Sequence, residues 1–143
     1  MVKAEDAARG FDAARYCRRH LAEGHNGHLG FRYIDSGDGR IQLALPIVDH
    51  LRGLDGDVAD AAVISLLDMA GTLSVWVRSG AWWPQATLEL RVDWIRGFAP
   101  ETELIGYAWC EAIRGDIAYV TGDAHDPQGR RLARFAATYI ITR

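Results

Sequence analysis

Cysteine is scarce in this chain. Cys17 and Cys110 are the only two, they lie far apart, and neither belongs to a CxxC pair, which excludes a zinc ribbon or a disulfide framework. There is no basic run either. Sixteen Lys and Arg face nineteen Asp and Glu, for a net charge of −3, so nucleic acid and anionic membrane surfaces are not expected as partners. The opening stretch, MVKAEDAARGFDAARYCRRH, is charged throughout and lacks an apolar core, so no secretory leader is expected and a reduced, cytoplasmic setting is. Repeats, low-complexity segments, a glycine-rich phosphate loop, a Ser-His-Asp order and a Cys-His pairing are all missing. With 143 residues, 49% hydrophobic and 24% charged, the chain reads as a single soluble domain spanning 1–143.

What the chain does have is one long apolar segment, AAVISLLDMAGTLSVWV, running from Ala61 to Val77 with a lone carboxylate, Asp68, at its centre. Burying an ionised group without a partner is costly, so a carboxylate among Leu, Met, Val and Ile is a candidate for chemistry. Ser65, Asp68 and Thr72 are three and four apart and share one face of a helix. A helix apolar nearly all round is wrapped by protein, and a single polar stripe on it lines a cleft. The alternative is structural: Ser65 and Thr72 bond back to their own helix while Asp68 pairs with an arginine. The segment is too short and too interrupted to read as a membrane span.

Around this segment the pattern predicts a helix over Glu5–Leu21 in an N-terminal extension of residues 1–24, broken by Gly24, Gly27 and Gly30. Strands follow at Gly30–Asp35 and Arg40–Pro46, joined by the turn Ser36-Gly37-Asp38-Gly39. The central helix then ends at Ser79-Gly80, and Trp82-Trp83-Pro84 forms a bulky connector. Four long strands in a meander are predicted next, at Thr87–Arg96, Glu103–Ile113, Ile117–Asp126 and Arg131–Thr142. This is an α+β domain, an antiparallel sheet wrapped around one long central helix. Such a sheet leaves edges and a face uncovered, and pairing with a second copy disposes of them. His25, Asn26 and His28 lack a third ligand nearby, so no metal is expected.

With these residues, the architecture resembles the hotdog fold, and within it the phenylacetic-acid-degradation (PaaI-type) branch of acyl-CoA thioesterases. The resemblance runs from about Leu29 to Thr142. AAVISLLDMAG is similar to that family's catalytic-acid segment, TLELRVDWIRG to its following strand, and AIRGDIAYVTGDAHDPQGRRLARFAATYIIT to its closing strands. The resemblance implies thioester hydrolysis, coenzyme A as part of the substrate, no further cofactor, and a homodimer or a dimer of dimers. It places Asp68 on the catalytic carboxylate, general base or nucleophile, and Thr87 on the Ser/Thr that holds the attacking water.

At the helix start the family carries His-Gly-Gly, whose backbone N–H meets the thioester oxygen. Here the three positions read Asp60, Ala61 and Ala62, with Ala62 keeping an N–H in the catalytic place. An Asn common six residues earlier is also replaced. A carboxylate about 4 Å from a forming oxyanion costs on the order of 4 kcal/mol at an effective dielectric near 20. Turnover therefore needs Asp60 to turn away, for instance by capping its own helix. A rival follows: a non-catalytic acyl-CoA-binding or ligand-binding subunit that kept the cleft and lost the oxyanion site. Trp82 and Trp83 would wall an acyl pocket with Ser65 and Thr72, the alternative being core or dimer packing, and Arg96 and Arg114 would meet coenzyme A phosphates, the alternative being plain solvation. Asp60 and Asp68 are about 12 Å apart along one helix, so the start that meets Asp68 must come from a second copy.

Overall fold

The apolar run folds as one helix of twenty residues. The computed structural model describes residues 10–95, 100 and 102–142, and its longest helix, α3, spans Asp60–Ser79. Val63, Leu66, Leu67, Ala70, Leu73 and Val75 on it are all within 1% of full burial, as a helix greasy on most faces requires. Two expectations change here. At twenty residues α3 is long and apolar enough to cross a membrane by length and composition, but much of it is buried against this chain's own sheet. Asp60 does not occupy the capping position. Ala59 does, with no side-chain oxygen to offer, and Asp60 is the exposed first residue of the helix. Asp57 spends Oδ1 on the Val58 N–H at 2.7 Å rather than on the helix.

Six antiparallel strands receive α3: β1 (Arg32–Gly37), β2 (Arg40–Pro46), β3 (Gln85–Trp94), β4 (Glu103–Arg114), β5 (Ile117–His125) and β6 (Arg131–Ile141). Their order is β1-β2-β4-β5-β6-β3. The last four do not form a meander, because β3 crosses to the far edge and pairs with β6. The helix causes this. It runs some 30 Å across β2, β4 and β5, and so delivers the chain to the opposite side of the sheet. Period-two alternation then sorts each strand. On β4, Leu104, Ala108 and Cys110 are fully buried under α3, whereas Ile105, Tyr107 and Trp109 face outward and are half-buried.

At the N-terminal end, α1 (Ala13–His20) is shorter than its pattern predicts, and residues 1–9 lie outside the described residues. Asp12 caps α1 by accepting the Arg15 N–H on Oδ1 at 2.9 Å. Gly24 does not end the helical region. Gly24–Leu29 forms a short α2, stopped instead by Gly30, which takes a left-handed conformation at φ 76° and returns its N–H to Asn26. Phe11 and Tyr16 lay their rings against Trp76, with centroids 5.4 and 5.0 Å away, clamping the N-terminal segment to the end of α3. Cys17 lies on the buried face of α1, and Cys110 on the face of β4 beneath α3. Burial pushes their thiols up, to about 12 and about 11.

Candidate functional site

Asp68 stands midway along α3, half-buried, on the side that faces β3. Thr87 on β3 donates its hydroxyl to Asp68 Oδ1 at 2.8 Å. One helical turn on, Gln85 donates Nε2 to the Thr72 carbonyl at 2.8 Å. The spacing explains why both bonds form. Four residues of helix rise about 6 Å and two residues of strand about 6.6 Å, so Asp68/Thr72 and Thr87/Gln85 stay in step.

A third residue enters that no sequence reading identified. Tyr139 on β6 lies directly opposite Thr87 in the ladder. Its hydroxyl lies 3.3 Å from Asp68 Oδ1 and 3.2 Å from the Asp68 backbone carbonyl, so one O–H is shared between the two. Tyr139 is fully buried. Burial first, and then the Asp68 charge, hold its phenol well above the ordinary range, while the Thr72 hydroxyl pulls the other way. Tyr139 is therefore protonated, and a donor, at any working pH. Asp68 makes no ion pair among the described residues, so hydroxyls hold it where an arginine was the structural alternative. Both bonds fall on Oδ1, and Oδ2 has no partner among the described residues. The signal for Tyr139 was faint: one ring at an inward position of the closing strand, and a glycine, Gly71, three residues after Asp68.

The remaining candidates scatter. Ser65 is half-buried on the same stripe, one turn before Asp68, and Asp60 and Ala61 are exposed at the helix start. The Ala62 N–H is not free, because it donates to the Ala59 carbonyl at 3.0 Å. Trp82 packs on Trp76 with centroids 5.8 Å apart, in the aromatic cluster under α1. Trp83 is partly exposed and gives its carbonyl to the Trp76 indole N–H at 2.7 Å. Arg114 closes β4 at the exposed turn into β5. Arg96 lies outside the described residues. His28 on α2 packs its ring beside that of His50 in the segment before α3, with centroids 4.4 Å apart.

No protein-family model and no curated sequence matches this chain. Solved structures do. A thioesterase family protein from Silicibacter pomeroyi superposes with a TM-score of 0.79 at 21% identity, over 91% of this chain and 98% of that one. The chain has the hotdog fold. A conserved protein from Pseudomonas aeruginosa shares that fold at a TM-score of 0.78 and 22% identity, over 87% of this chain and 98% of its own. A variant of the phenylacetic acid degradation protein PaaI from Thermus thermophilus shares it at 0.70 and 19%, covering 80% and 95%. In each the hotdog core is matched over nearly the whole of the other protein. In this chain that core sets Thr87 on β3 within hydrogen-bond distance of Asp68 on α3.

Proposed function

We propose that this chain hydrolyses acyl-CoA thioesters, with Asp68 as general base, in a homodimer. The observation that carries the reading is the 2.8 Å bond from Thr87 to Asp68 Oδ1, which anchors one carboxylate oxygen in an apolar helix and leaves the other open. Asp68 Oδ2 takes a proton from water as the water oxygen bonds to the thioester carbon. The tetrahedral intermediate expels the coenzyme A thiolate. That thiolate recovers the proton from Asp68, so the products are the free acid and the thiol. A second copy supports the oxyanion, since the helix start lies about 12 Å along α3 from Asp68 and cannot reach the same carbonyl. β3 is suited to receive that copy. It is a ten-residue edge strand, and Leu88 on it is 56% exposed.

One observation favours binding without turnover. The Ala62 N–H is turned back into the first helical turn, beside the exposed Asp60 carboxylate, which weakens the oxyanion site. A panel of acyl-CoA substrates on purified protein, with Asp68→Asn as the blank, separates the two readings. Hydrolysis is expected, and Asp68→Asn should lower kcat at least about a hundredfold with the fold intact. Acyl-CoA binding without release of thiol would establish the binding subunit instead.

A further inference from the structure

We infer that Tyr139 is a positioning residue for Asp68: with Thr87 it clamps Oδ1, and so makes Oδ2 the oxygen presented to the reacting water. The inference rests on the reading of Asp68 as the reacting carboxylate. Three observations converge on it. Thr87 and Tyr139 are cross-strand partners on β3 and β6, so the sheet itself sets the separation of their hydroxyls. Both hydroxyls reach the same oxygen, at 2.8 and 3.3 Å. The helix is also cut away to admit the second one, because a Cβ on Gly71 would collide with the Tyr139 hydroxyl and stand 2.9 Å from its ring.

A carboxylate on a side chain with two rotatable bonds presents either oxygen unless one is tied down. A single threonine bond on an exposed strand leaves the group free to swing about it, whereas two donors arriving from different strands fix its plane. The second donor is the better protected, since Tyr139 is fully buried and Thr87 is exposed. Gln85 Nε2, bonded to the Thr72 carbonyl at 2.8 Å, ties β3 to α3 one turn beyond Asp68. Buried polar networks of this kind fix one geometry when each member is satisfied.

The test is steady-state hydrolysis by Tyr139→Phe, Thr87→Val, the double variant and Asp68→Asn, each read across pH. Tyr139→Phe keeps the ring and should lower kcat about tenfold, at the lower end for a hydrogen bond to a charged acceptor, with KM changed by less than about twofold. Donors stabilise the carboxylate, so the acid limb of kcat should move to higher pH in Tyr139→Phe. The double variant should fall by more than the product of the singles, towards Asp68→Asn, because each remaining bond still orients the group. Incorporating 3-fluorotyrosine at position 139 keeps the hydroxyl and strengthens it as a donor. The acid limb should then move to lower pH, and this arm holds even where Tyr139→Phe folds poorly. Unchanged kcat and an unmoved acid limb in the phenylalanine or the fluorotyrosine protein, while Asp68→Asn is inactive, overturn the role of Tyr139 and leave hydrolysis by Asp68 standing. Full activity of Asp68→Asn overturns both.

Discussion

Gly71 is hollowed out to the outline of the Tyr139 hydroxyl. The two residues come from the centre of α3 and the end of β6, and the approach is close enough that no side chain at position 71 leaves Tyr139 where it is. Gly71→Ala should therefore lower stability by about 1–3 kcal/mol, the usual cost of overpacking, despite alanine's better helix propensity. Thermal unfolding checks the loss, and hydrolysis should fall with it. A Gly71→Ala protein with raised Tm and unchanged kcat would mean that Tyr139 moves aside freely.

The helix start offers a gain of function. Asp60→His, Ala61→Gly and Ala62→Gly together install the His-Gly-Gly of the PaaI-type thioesterases that the sequence resembles, and under the proposed hydrolysis they remove an exposed carboxylate and two Cβ atoms from the oxyanion's surroundings. Deleting one opposing charge is worth a few kcal/mol at most, so kcat/KM should rise between about tenfold and a thousandfold. Asp60→Asn alone should recover part of that. A folded triple variant that binds acyl-CoA with no gain would show that Asp60 does not throttle turnover.

Association should depend on the outer edge strand. Light scattering is expected to give at least a dimer at micromolar concentration. Leu88→Lys, which plants a charge on the exposed edge of β3, should shift it towards monomer and lower activity together. A stable, folded, fully active monomer would remove the need for a second copy.

Stability at low pH should hinge on Asp126. This buried carboxylate takes the N–H groups of Gln128 and Arg130 on Oδ1 and the Arg130 guanidinium on Oδ2 at 2.6 Å. Burial pushes its pKa up, but those donors more than offset it and the net shift is downward. A depressed native pKa stabilises the fold above the ordinary carboxylate value of about 3.9, and the contribution disappears as pH falls through the native value. Melting temperatures of Asp126→Asn should thus lie below wild type at neutral pH and converge with it in strong acid.

Much of this was legible in the residues. Asp68 announces itself as the one charge in a seventeen-residue apolar run, and Ser36-Gly37-Asp38-Gly39 and Asp126-Pro127-Gln128-Gly129 mark their turns by composition. Thr87 was legible only through resemblance, since nothing local separates it from other strand threonines. Tyr139 left only a faint trace. In the alternation of ATYII it occupies an ordinary inward position, and its hydroxyl gains meaning only once β6 lies beside β3. Nor does chain order tell which edge β3 joins; the length of α3 decides that, by spanning the sheet before releasing the chain. Gly24 and Gly27 misled for a related reason, because a short α2 tolerates glycine when Gly30 supplies the stop.

The two scarce cysteines give this molecule a pair of internal clocks. Cys110 lies fully covered on β4 beneath α3, Cys17 on the inner face of α1, and both thiols are held protonated by their burial. Neither can be alkylated until its cover lifts, so the labelling rate of each reports an opening event. α1 is a single eight-residue helix, seated on the body by Ala13, Cys17 and the following Leu21 and flanked by Phe11 and Tyr16 against Trp76, whereas Cys110 is freed only when the sheet and α3 part. Labelling in the native state should therefore be biphasic. Cys17 should react first, through detachment of the N-terminal segment, and Cys110 at the pace of global unfolding, with only its rate following the Tm of core variants such as Gly71→Ala. Equal rates at the two thiols would mean that the N-terminal helix and the hotdog core open as one body.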